Sequence, residues 1–89
     1  MGRLTTAPQF NATMNKNRRK RINDVYSKIE ELKSEIENIM DEEQEALDNI
    51  PESLQEGERG EMMQEAIDNL SNAMDSMDEA MEYLNDATE

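Results

Sequence analysis

The side chains able to do chemistry in this chain are almost all carboxylates. Twenty-two acids stand against nine bases, and histidine and cysteine are absent. Paired carboxylates can shuttle protons or hold a metal, but both tasks need partners. Without histidine the commonest general base and metal ligand is missing, and so is the Glu-x-x-His element of carboxylate di-metal bundles. Without cysteine there are no thiolate ligands and no disulfide framework. Asp75, Asp78 and Glu79 lie close in sequence, yet no twelve-residue loop with a central glycine surrounds them. No glycine-rich phosphate loop is present, and Ser27, Ser34, Ser53, Ser71 and Ser76 have no plausible base. The sequence therefore predicts a non-enzymatic chain with no cofactor and no metal.

Two charge patterns remain. Asp68, Asp75 and Glu82 recur every seven residues, and Arg18, Arg19, Lys20 and Arg21 form a basic run. The net charge is −13; residues 1–21 hold six bases and no acid, and residues 22–89 hold three bases and all 22 acids. Most of this surface repels a nucleic-acid backbone. The acidic row reads first as the solvated flank of a helix. Its sharper reading is a surface that docks a basic protein or imitates phosphates. The basic run reads first as a charge match to the acidic end of the chain. Its weaker reading is a nucleic-acid contact, and no aromatic residue interleaves it for base stacking.

Helices must position these groups. From Ile22 the apolar residues step by three and four through Val25, Ile29, Leu32, Ile36 and Ile39, then Ala46 and Ile50, with Glu43 as a gap. Ile22, Ile29 and Ile36 fall at heptad position a, and Val25, Leu32 and Ile39 at d. This is a coiled-coil seam, which Met40 and Leu47 widen. A second helix is expected over residues 58–87. Ala66, Ala73, Ala80 and Ala87 repeat every seven residues; Ile67, Met74 and Met81 follow the first three, and Met63, Leu70, Met77 and Leu84 make a third row. The methionines read as core, with an adaptable binding groove as the lesser reading. Pro51 ends the first helix, expected over 15–50. The connector 51–57 is too short for anything but antiparallel neighbours. Pro51 can open a short helical turn with Asn49 nearby as its cap, while Gly57 and Gly60 permit the reversal.

The expected fold is all-α: an antiparallel helical hairpin that dimerises into a four-helix bundle. Three apolar rows on one helix exceed what a single partner helix covers. Ile29, Ile36, Ala66, Leu70, Ala73, Met77, Ala80 and Leu84 are the expected oligomer core, with the alanine row allowing close approach of a neighbour.

The connector asks for more than a turn. Leu54 is an apolar candidate anchor, and Arg59 is the only base after Lys33. Arg59 reads either as a cap or ion-pair partner for the first helix and Glu52 or Glu56, or, with Leu54, as a contact for another protein. The stretch 41–55 (DEEQEALDNIPESLQ), followed by Glu58-Arg59-Gly60 and by 65–70 (EAIDNL), resembles small acidic proteins of unknown function from bacteriophages and prophages of Gram-positive bacteria. The resemblance spans about residues 15–87. It implies a viral or mobile-element origin and the cytoplasm of an infected or lysogenic cell, and carries no activity. Partners expected on these grounds are a second copy of the chain and a host or phage protein with a basic surface, rather than nucleic acid or a membrane. Three functions compete: an oligomeric protein-binding module, an acidic inhibitor that imitates DNA, and a nucleic-acid binder acting through residues 18–21.

Residues 1–14 lack the apolar period and hold Pro8. They are expected to be a disordered extension or an expression remnant. Their start, Met1-Gly2-Arg3-Leu4-Thr5-Thr6, also fits the myristoylation pattern, although one acyl chain anchors only marginally.

Overall fold

The computed structural model describes residues 15–89, so the expected extension and the myristoylation pattern lie outside the described residues. Among the described residues, three helices occur in order: α1, Lys16–Asn49; α2, Glu52–Gln55; and α3, Glu58–Ala87. There is no strand among the described residues. The chain is all-α, and α1 and α3 pack antiparallel along their length as an extended hairpin. Their 34 and 30 residues give rods of about 51 and 45 Å at 1.5 Å per residue.

Local chemistry sets the ends. The Asn15 side chain accepts a 2.8 Å hydrogen bond from the Arg18 amide and caps α1. At the other end Ile50 turns extended ahead of Pro51. The freed carbonyls find a donor in Gln55, whose Nε2 reaches Ile50 O at 3.0 Å and Asp48 O at 3.3 Å. Capping of α1 thus falls to Gln55 rather than Arg59. Pro51 is itself the N-cap of α2, with no side-chain cap, so Asn49 does not serve there. Glu58 and Glu61 lie in the first turn of α3, where the helix dipole favours anions.

The reversal does not use left-handed backbone, because no described glycine has a positive φ. Gly60 is needed for space instead. It is buried in the first turn of α3, and a Cβ there would fall within 2.7 Å of Gln55 Cα and closer still to its carbonyl.

The hairpin seam runs through Ile22, Tyr26, Ile29, Lys33, Ile36, Met40, Glu43 and Leu47 on α1, and Met63, Ile67, Leu70, Met74, Met77, Met81 and Leu84 on α3. Here the structure corrects the heptad reading. Val25, Leu32 and Ile39 are not in this seam; they are 47, 56 and 44% exposed. Area explains the choice. On α3 the row beside Leu70 and Met77 can be either the alanines or Ile67, Met74 and Met81, and burying the larger row removes more apolar surface from water. That choice rotates α1 in step, so Tyr26, Met40 and Leu47 come inward and the Val25 row turns out. The alanine row is therefore not where α1 packs: Ala66 and Ala73 are half-buried and Ala80 and Ala87 exposed. The core is thin. Among the described residues, Leu47, Ile67 and Met81 are the only buried large apolar ones, each still 8–9% exposed.

Candidate interaction face

At 100° per residue, Val25, Leu32 and Ile39 stand about 80° round α1 from the middle of its seam. The alanine row of α3 stands at the same angle in the same sense. Reversing one helix across the seam mirrors that sense, so both rows emerge on one side of the hairpin. The surface itself agrees. One shallow depression at the open end is lined by Arg18, Arg21, Ile22, Val25 and Leu84. Another near the connector is lined by Glu43, Glu58, Arg59, Met62 and Met63. Met62 and Tyr83, 64 and 68% exposed, belong to the row next to the alanines on the same side. Every large exposed apolar side chain of α1 and α3 among the described residues therefore lies on this face.

The opposite side is polar. Gln44, Asp48, Glu61 and Gln64 come together there with Gln55 and Gly60. The acidic row Asp68, Asp75 and Glu82, all exposed, lies on this back surface together with Glu61, at steps of about 10.5 Å. Lys33 crosses the seam toward it, with Nζ 2.5 Å from Asp78 Oδ1. The hydrogen bond to Asp78, joined by the charges of Asp78, Glu37 and Asp75, raises the Lys33 pKa above its ordinary value, and burial opposes the shift only in part. The sequence reading passed over this pair, although its signal was there: residue 33 continues the step 26, 29, 33, 36 of the observed seam.

At the open end the basic run does not form a strip. Four consecutive residues point around the helix, about 100° apart. Arg19 turns inward, and its Nε donates to Thr88 O at 3.0 Å, a cation at the C-terminus of α3 where the dipole welcomes it. Lys20 pairs with Asp24 at 3.6 Å in an exposed i,i+4 contact. Arg18 and Arg21 line the depression with Val25. The four bases are thus divided among three environments.

At the tip, Leu54 is 45% exposed on α2. Arg59 is exposed and lines the depression with Glu43 and Glu58, and Leu54 is not among the residues that line it. Glu43 occupies a seam position, half-buried. Of the expected oligomer core, Ile29, Ile36, Leu70, Met77 and Leu84 line the intramolecular seam, and Ala66, Ala73 and Ala80 line the open face. Among the described residues, no three acidic side chains converge as a metal site, and no helix is long and apolar enough to cross a membrane. Comparisons with protein families, curated proteins and solved structures find no match.

Proposed function

We propose that this chain is a non-enzymatic interaction module that works as an oligomer of helical hairpins, two of which pair into a four-helix bundle and present their outer surfaces to another protein. The observation that supports it is the one-sided face: Val25, Leu32 and Ile39 stand beside an alanine row while the back is uniformly polar. A hairpin of this length with three buried large apolar residues has too little core to stand alone. Covering the face supplies what the hairpin lacks. The setting read from the connector's resemblance is a phage or mobile element, and the outer partner is a host or phage protein with a basic surface. Leu54 and the acidic row Asp68, Asp75 and Glu82 remain accessible once the face is covered. Arg59, beside the Met62 depression, sits at the edge of the covered face.

Light scattering or sedimentation equilibrium at micromolar concentration tests the oligomer. A mass of two chains or more is expected, and a mass of 10.3 kDa sinks the reading. The Leu54→Ala, Arg59→Ala double variant tests the connector. Unchanged helicity and mass with weaker partner capture supports a contact role, whereas lost helicity assigns these residues to folding.

A second reading has its own observation, the exposed carboxylates at roughly 10.5 Å steps on the back. It casts the chain as an acidic inhibitor occupying the nucleic-acid groove of a host or defence protein. This reading requires DNA to compete with the chain for the captured partner. Co-binding of DNA and chain counts against it.

A further inference from the structure

We infer that the occupant of the open face is a second copy of this chain laid head to tail, the connector of one hairpin over the open end of the other, so that α1 runs antiparallel to the partner's α1. The inference rests on the oligomeric reading above and fixes which surface is used and which way round.

The face has the size a dimer needs. From Arg59 to Ala87 the alanine row spans about 42 Å, and two helices side by side are about 20 Å wide, giving roughly 800 Å² per copy, the standard share of a stable interface. The phase is right as well. In each helix the two rows on either side of the bundle axis are Ile22, Ile29 and Ile36 with Val25, Leu32 and Ile39, and Leu70, Met77 and Leu84 with the alanines. These are a and d positions around a four-helix axis, so both rows of the heptad seam become interior only when a second hairpin is added.

Charge selects the orientation. Closing the face on another copy by two-fold symmetry allows two arrangements. In one, the connectors lie at the same end and α1 packs on the partner's α3. In the other, they lie at opposite ends and α1 packs on the partner's α1. The outer flank of the face on α1 reads Arg21, Lys28, Glu35, Glu42, basic toward the open end and acidic toward the tip. Turned antiparallel about Leu32, this row is its own complement: Arg21 meets Glu42, and Lys28 meets Glu35. The interruptions of the apolar rows match too, because Arg18 continues the Val25 row at the open end and Glu43 continues the Ile36 row at the tip, within one turn of each other across the two-fold. The two depressions, one holding Arg18 and Arg21 and the other Glu43 and Glu58 beside the single base Arg59, are brought together. With connectors side by side, the α1 flank faces Met62, Asn69, Ser76 and Tyr83, which carry no charge. That arrangement also concentrates repulsion. The half of the described hairpin toward the connector, residues 33–74, holds two bases and thirteen acids, and the other half six bases and nine acids. Head-to-tail packing places unlike halves together.

The absence of cysteine makes an engineered disulfide unambiguous, and the full chain is used throughout. Leu32→Cys, oxidised after purification, is expected to give a linked species of twice 10.3 kDa, since Leu32 sits at the two-fold. A mixture of Leu32→Cys and Ala73→Cys chains is expected to give no linked species joining the two variants. Sedimentation of the unmodified chain is run alongside. A dimer in which Leu32→Cys fails to link to itself but links to Ala73→Cys overturns the orientation while the oligomeric reading stands. A dimer that links through neither residue overturns this face as the interface. A monomer overturns both.

Discussion

Gly60 carries the sharpest consequence at the scale of single residues. Its Cβ position is already filled by Gln55 backbone, which has no rotamer through which to yield. Gly60→Ala therefore forces α2 off α3 and is expected to cost about 1–3 kcal/mol, as overpacking does. Gly57 is the contrast: a Cβ there would meet Ser53 O at 3.6 Å, an ordinary contact, and the backbone is extended. Gly57→Ala is expected to cost under about 1 kcal/mol, the difference between the two as N-caps. Urea denaturation of both variants checks this, and equal midpoints would show that the tip can relax. Lys33 gives a second residue-level expectation. Its pKa is raised in the folded chain by Asp78 first and by the surrounding carboxylates next. A group with a raised folded pKa contributes stability that is fully present below its unfolded value and is lost as pH rises through the folded one. The contribution is thus intact at neutral pH and disappears in the alkaline range above about 10.4, the ordinary lysine value. Lys33→Met should lack that alkaline loss. Melting curves at pH 9 and pH 11 compare the two chains, and an equal drop in both rules out a role for the pair.

Between one element and the next, the difference among rows decides what a substitution does. Ala73 belongs to the alanine row on the open face and is half-buried, whereas Ser71 is exposed on the polar back. In the proposed dimer, Ala73→Leu adds methylenes where the two α3 helices approach, so it is expected to weaken association, by about 1–3 kcal/mol per site, with helicity retained. Ser71→Leu should change neither. Sedimentation equilibrium with circular dichroism reads both, and equal association constants for the two variants would place the interface elsewhere. The heptads of both helices were legible in the sequence because periodicity is a local property. The connector was less so. Pro51 marked its start, but the Gln55 cap depends on two carbonyls that are freed only once the chain turns.

Charge is a property of the whole molecule. The described residues combine a strongly acidic connector half with a more balanced open half, and the net charge of the chain is −13. Like charges along two parallel rods repel within a screening length of about 10 Å at 0.1 M salt, and one exposed Lys20–Asp24 pair offsets little of this. The melting temperature at neutral pH is therefore expected to rise between 20 and 500 mM sodium chloride. A fall would mean that attraction across the flank of the proposed dimer outweighs the repulsion of the tips. The same scale separates what sequence and structure each contribute. Composition and the three-four step determined by themselves that the chain is helical, where the helices break, and which residues form apolar rows, because each follows from local backbone preference and side-chain type. Which two of the three rows close the hairpin was decided only by tertiary packing. Ile67, Met74 and Met81 compete with alanines for the same neighbour, and the larger buried area wins. That outcome turns Val25, Leu32 and Ile39 outward, and no single-helix pattern could assign it, since a row's partner is a fact about two helices at once.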